Sequence, residues 1–152
     1  MQPSAPHYEE RLTAPRSWWL ITALVGVAGG LIMLPIGPLA MLGGLIGAAA
    51  VAGVVVSSYG SVRIRVVAGS LVAGEARIPL SALGEAEVLD EEEARAWRSY
   101  KADARAYMLL RSYIPTALRI EITDPADPTP YVYVSTRDPK ALAAAVTAVR
   151  AA

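Results

Sequence analysis

The feature that most restricts this chain is a run without charge: from Ser17 to Val62 there is no Asp, Glu, Lys or Arg. Two segments inside it are almost wholly apolar, Ser17–Leu34 (SWWLITALVGVAGGLIML) and Pro38–Ser58 (PLAMLGGLIGAAAVAGVVVSS). As α-helices they would be about 27 Å and about 32 Å long at about 1.5 Å per residue, matching a hydrocarbon core of about 30 Å. Between them, Pro35-Ile36-Gly37-Pro38 breaks the helix, because proline lacks an amide hydrogen and clashes with the preceding turn. A connection this short sets the two helices antiparallel. A cleaved signal peptide is a poor account, since a second apolar segment follows at once. So is a buried soluble hairpin, because the rest of a 152-residue chain has too little apolar surface to cover two helices that are hydrophobic all round. The expectation is a transmembrane helical hairpin over 17–34 and 38–58.

Flanking charge sets the expected orientation. Arg11 and Arg16 precede the first helix, Arg63 and Arg65 follow the second, and the turn carries none. The bias of basic residues toward the cytoplasm then puts both termini on the cytoplasmic side of the plasma membrane, in a multi-pass protein. On this reading 1–16 is a cytosolic tail and 61–152 a cytosolic domain. Trp18 and Trp19 stand at the headgroup level on entry, and Tyr59 mirrors them on exit. Gly26 and Gly30, and Gly43 and Gly47, are each spaced by four, which gives each helix a groove for close packing. Packing within the hairpin is the simpler use of these grooves; homo-oligomerisation is the other. The apolar region holds no ionisable group of the kind an ion-coupled transport path needs.

Composition excludes several functions. Hydrophobic residues make up 54% of the chain and mean hydropathy is +0.38, above the roughly 45–50% apolar share of soluble domains. Net charge is zero, so no global basic field recruits nucleic acid. With no cysteine, disulfides, thiolate nucleophiles and Cys-ligated metals are out of reach.

Beyond Ser61 the period changes to two. Val62-Arg63-Ile64-Arg65-Val66 alternates apolar and basic side chains, as a strand with one buried face does. Ala68-Gly69-Ser70 reads as a turn, Leu71-Val72 as a short continuation, and Ala76-Arg77-Ile78-Pro79-Leu80 as a strand whose proline suits an edge. Gly84–Leu89 alternates again. Asp90 can cap a helix opened by Glu91, Glu92 and Glu93 at the positive end of its dipole, running to about Ala102. Tyr107–Arg111 returns to strand character, Leu118–Thr123 alternates strictly, and Tyr131–Val134 follows the Pro-rich turn 124–130 as its hairpin partner. Asp138-Pro139 opens a helix over 138–150 with Leu142, Val146 and Val149 on one face. The expected fold class is an α+β membrane protein: a two-helix hairpin, then a small, mostly antiparallel β domain in a pleckstrin-homology-like roll, closed by a C-terminal helix.

Several of these segments resemble one family. They are Tyr8-Glu9-Glu10-Arg11-Leu12 before the tryptophan pair, Ala76–Leu80, Gly84–Asp90, and above all Thr123–Tyr131 (TDPADPTPY) with Val134-Ser135-Thr136-Arg137. The likeness is to the actinobacterial membrane-protein family known as domain of unknown function 3093, and it runs nearly the whole chain. It implies a two-helix membrane protein and brings no established activity. The loop between the membrane helices is short for the family, and Ala104 stands where a proline is expected to end the central helix, which predicts a longer helix here.

Few residues offer chemistry. The single histidine, His7, lies beside Pro6 in a polar segment without the positioned companion that a catalytic base needs. Glu91, Glu92 and Glu93 point in different directions on a helix, so a dipole-matched start with a Glu91–Arg95 pair explains them better than a metal does. Asp124 and Asp127 suit turn capping better than a shared cation. No cofactor is expected, and no phosphate loop is present. The most suggestive surface is basic and aromatic. Arg98, Lys101 and Arg105 share a face with Trp97 and Tyr100 if the helix extends that far, and Arg63 and Arg65 lie just past the membrane. Such residues can rest on anionic lipid; alternatively, Trp97 and Tyr100 bury into the sheet and the basic groups face water. The leading expectation is a non-enzymatic, membrane-tethered module that binds a partner protein or lipid headgroups. A structural or assembly subunit packing through the glycine-rich helices is the alternative. A hydrolase or transferase built on Asp124, Asp127 or Tyr131 lacks a nucleophile–base pair.

Overall fold

A computed structural model describes residues 7–152. These divide into two units: Leu12–Val62, and the residues up to Arg11 together with Arg63–Ala152.

The first unit is a helical hairpin. Helix α1 spans Arg16–Met33 and helix α2 spans Pro38–Tyr59. A single 3-10 turn, Leu34–Ile36, and Gly37 join them. Gly37 has φ of +141°, a conformation that side-chain-bearing residues rarely adopt, and Pro38 occupies the first turn of α2, where a missing amide hydrogen costs nothing. The bounds agree with the expected 17–34 and 38–58 to within a residue. Both helices are long and apolar enough to cross a membrane. Their outward side chains stay uncovered, with Leu24 68% and Leu39 84% exposed.

The second unit holds eight strands. The N-terminal sheet has the order β1 (Tyr8–Leu12), β2 (Val62–Val67), β3 (Ser70–Ala73) and β4 (Ala76–Pro79). A two-residue turn, Ala68-Gly69, joins β2 to β3, with Val67 opposite Ser70. Both turn residues have positive φ, +49° and +70°, as the tightest hairpins require. Alternation buries Ile64, Val66, Leu71 and Ala73 on one face. Pro79 lies on β4 at the sheet edge, where its missing donor leaves no ladder bond unmade.

The other sheet has the order β5 (Leu83–Leu89), β7 (Ala117–Ile122), β8 (Tyr131–Ser135) and β6 (Tyr107–Leu109). Its pairs are antiparallel except for β6, which runs parallel to β8. Helix α3 (Glu91–Trp97) covers one face through Ala94 and Trp97, packed on Leu89, Ala117, Tyr131 and Tyr133. Helix α4 (Pro139–Ala151) buries Leu142 and Val146 and packs on β5, β7 and the 3-10 turn Leu80–Ala82. Asp90 and Asp138 cap these helices as expected, accepting from the amides of Glu93 and Ala141 at 2.9 Å each.

Two expectations need correction. The tail assigned to 1–16 contains strand β1, whose neighbour β2 follows the hairpin; residues 1–6 lie outside the described residues. The chain therefore leaves one sheet after β1, makes both long helices, and returns to the adjacent strand. Second, α3 stops at Trp97 instead of reaching Ala102. The Ser99 hydroxyl donates to the Arg95 and Ala96 carbonyls, the Lys101 amide turns back to Ala96 O, and the Tyr131 hydroxyl takes the Asp103 amide at 2.9 Å. These bonds divert the backbone groups that another helical turn would use.

Candidate functional site

The early end of α3 dissolves the expected basic helix face. Trp97 turns inward, its ring edge-on to Tyr131 at 5.3 Å. The Arg119 guanidinium lies over the Trp97 ring at 4.4 Å and over the Tyr131 ring at 5.7 Å, with Lys101 Nζ also 5.6 Å from the Trp97 centroid. Arg119 is held there by Glu87, to which its Nε and Nη2 donate at 2.9 and 2.7 Å. Arg98 caps α3, and Tyr100 stands 82% exposed. Arg105 folds back on Asp103 with bonds of 3.2 and 2.9 Å, and this pairing holds the Asp103 carboxyl below the usual carboxylate range. Arg98, Lys101 and Arg105 thus serve separate local partners or faces. The Trp97 reading of burial into the sheet describes the structure; the same reading of Tyr100 does not. Arg119, the organiser of this cluster, was overlooked in the sequence, although strict alternation in Leu118–Ile122 sets Arg119 and Glu121 on the face opposite Leu118 and Ile120.

A second polar cluster joins the two ends of the β-rich unit. Glu10 on β1 accepts from the Tyr8 hydroxyl at 3.0 Å, from the buried Thr136 hydroxyl, and from the Arg137 amide at 3.0 Å. The Thr116 hydroxyl donates to Thr136 O at 2.6 Å. Burial pushes the Tyr8 phenol up to about 12, with the Glu10 charge adding to the effect. The Tyr8–Leu12 and Val134–Arg137 segments, far apart in sequence, therefore meet. Beside them a cleft of about 390 Å³ lies at the starts of α3 and α4, lined by Asp90, Glu93, Thr116, Arg137, Asp138 and Lys140 among others. Both capping aspartates already hold their own helix amides there.

The remaining sites fall into place individually. Asp124 accepts from the Ala126 amide and Asp127 from the Thr129 amide, each at 2.9 Å, so both carboxylates cap their own turns; the Thr129 bond lowers the Asp127 pKa. Glu91 and Arg95 form the expected pair at 3.0 Å. His7 is exposed. Among the described residues no three His, Asp or Glu side chains converge to hold a metal.

In the hairpin, Trp18 stacks on Tyr59 at 5.5 Å and Trp19 is 51% exposed. Gly26 and Gly30 face α2: a Cβ on Gly26 would meet Ala49 Cβ at 2.9 Å, and one on Gly30 would meet Leu45 Cβ at 3.2 Å. The tightest approach is at a pair not singled out, Gly29 and Gly44, where a Cβ on Gly29 would lie 2.6 Å from Gly44 O. Gly43 and Gly47 face away, and a Cβ on either meets nothing within 4 Å.

On the N-terminal sheet, Arg63 is exposed and Arg65 half-buried, with its Nε buried and without a hydrogen-bond partner among the described residues.

No curated protein and no solved structure matches the chain. The family described as Protein of unknown function (DUF3093) matches residues 7–146, a stretch that takes in the hairpin, both sheets and the start of α4, and the chain belongs to that family.

Proposed function

We propose that the chain is an integral-membrane protein whose α1–α2 hairpin crosses the plasma membrane, with both termini cytoplasmic. Its β-rich unit, read as a pleckstrin-homology-like roll closed by α4, acts there as a non-enzymatic module that binds lipid headgroups or a partner protein. One observation carries the membrane reading. The helices bury their small residues against each other and leave leucine, isoleucine and valine uncovered, with Leu20, Leu24, Ile32 and Leu39 all more than half exposed. Fully burying such a side chain is worth about 1.5–3 kcal/mol, so this surface in water is strongly unfavourable and in hydrocarbon costs nothing. A soluble core helix would be covered, and these are not. Arg11, Arg16, Arg63 and Arg65 flank the hairpin while its turn is uncharged, which supports a cytoplasmic β-rich unit.

The roll reading rests on two four-stranded sheets and on Leu142 and Val146 buried from α4; the parallel β6 edge is its departure from a purely antiparallel sheet. The non-enzymatic reading rests on Asp124 and Asp127, whose carboxylates are engaged in turns. Purification from gently solubilised native membranes tests the module reading. Retention of anionic lipid or a stoichiometric protein is expected, and recovery of the chain with neither contradicts it.

A second reading, an assembly subunit, is favoured by Gly43 and Gly47. Gly47 lines an open apolar groove of about 510 Å³ with Ala48, Val51 and Val55, Gly43 lies four residues before it, and the hairpin itself uses neither glycine. Small residues four apart permit close approach of another membrane helix. Replacing both by Leu then reduces assembly size in detergent with the β-rich unit still folded; an unchanged size eliminates this reading.

A further inference from the structure

Four arginines of the β-rich unit, Arg11, Arg63, Arg65 and Arg77, belong to its N-terminal sheet. Because Ile64, Val66, Leu71 and Ala73 point inward, period two sends Arg63, Arg65 and Val67 of β2 and Ser70 and Val72 of β3 to the opposite face. The ladder then fixes their neighbours: Arg65 stands opposite Val72, and Val72 opposite Arg77 of β4. On β1, Tyr8 and Glu10 face the buried Thr136, so Arg11 and Glu9 project the other way. Four arginines from three strands therefore share one outer face, with Glu9 on the face and Glu75 in the turn beside it as its acids. None of the four is in an ion pair among the described residues. Arg65 and Arg77 lie about 10 Å apart across one intervening strand, and Arg63 and Arg65 about 7 Å apart along β2.

We infer that this face is the docking surface for anionic phospholipid headgroups of the bilayer that holds the hairpin, an inference that rests on the membrane reading above and names its ligand. Two observations select lipid as the occupant. Charge complementarity asks for an anionic surface broad enough to meet guanidinium groups spread over β1, β2 and β4. Chain continuity supplies that surface. Arg11 precedes the start of α1 by five residues and Arg63 follows the end of α2 by four. At no more than about 3.6 Å per residue they stay within roughly 18 Å and 14 Å of the helix ends. Tethering at that distance makes individually weak contacts effective. Each arginine near an anionic leaflet strengthens the contact about fivefold.

The test uses the full-length protein in nanodiscs of phosphatidylcholine alone or doped with phosphatidylserine. The chain has no cysteine, so a fluorophore on Ser70→Cys marks this face uniquely, and one on Ala126→Cys marks the β7–β8 turn. Quenchers attached to lipid headgroups report proximity. Phosphatidylserine is expected to raise quenching at residue 70 and not at residue 126, and high salt to reverse it. Arg65→Gln with Arg77→Gln is expected to weaken the response about 25-fold, and Arg11→Gln with Arg63→Gln, a second pair that guards against misfolding of the first, does the same. Quenching at residue 70 indifferent to phosphatidylserine overturns the inference, as does a response that survives both double variants. Failure of the protein to enter nanodiscs at all overturns the membrane reading itself, a result distinct from either.

Discussion

Ala68 is the one described non-glycine residue with positive φ, and it sits in a turn where asparagine is at home. Left-handed backbone costs a residue with Cβ about 1 kcal/mol, and asparagine recovers part of that through its own local hydrogen bonds. Ala68→Asn is therefore expected to stabilise the protein by about 0.5–1 kcal/mol, read from the denaturation midpoint of the full-length chain. Tyr8 carries a pH signature. Its phenol binds its proton more tightly folded than unfolded, so its contribution is complete below pH 10 and is lost as pH rises toward about 12. Burial also raises Tyr133, which adds to the same loss. In Tyr8→Phe the decline of melting temperature above pH 10 is expected to be shallower than in the parent; an identical decline refutes the assignment. At this scale the sequence was least legible around the glycines. Gly29-Gly30 and Gly43-Gly44 are adjacent pairs, and one residue is about 100° of helix rotation. Spacing by four singles out Gly26, Gly30, Gly43 and Gly47; in the hairpin Gly26 and Gly30 face α2, while on α2 it is Gly44 that faces α1 and Gly43 and Gly47 face outward.

Among elements, the seam between α1 and α2 depends on Gly44, where a side chain would run into the backbone of Gly29. Gly44→Leu is expected to force the helices apart and lower the melting temperature of the detergent-solubilised protein steeply, while Gly43→Leu leaves it nearly unchanged; equal effects contradict the packing. Element identities followed from period and capping: 3.6 with no charge for α1 and α2, two for β2 and β7, and Asp-Pro for α4. The length of α3 did not, because Trp97–Ala102 has no glycine or proline. What stops the helix is tertiary, the Tyr131 hydroxyl reaching the Asp103 amide from a strand 28 residues on. For the same reason Trp97 and Arg119 form one cluster that no local pattern announces.

For the molecule as a whole, β1 is the part hardest to read from the sequence. Five residues, Tyr8 to Leu12, alternate too briefly to declare a strand, and the neighbour β2 is reached only after the whole hairpin. Glu10 supplies the reason they stay: it ties β1 to Thr136 and Arg137 at the entry to α4. The β-rich unit is thus discontinuous in sequence, interrupted by the two long helices, and its arginine face is assembled from both sides of that interruption. On the function proposed above, all of this gains its role from a hairpin lying in lipid. The most direct test labels single cysteines at Leu24→Cys and Ile46→Cys in native membranes opened to a membrane-impermeant maleimide from both sides, with Ala126→Cys as the reference. Labelling at position 126 with protection at 24 and 46 is predicted; rapid labelling at all three positions without detergent contradicts a membrane-spanning hairpin.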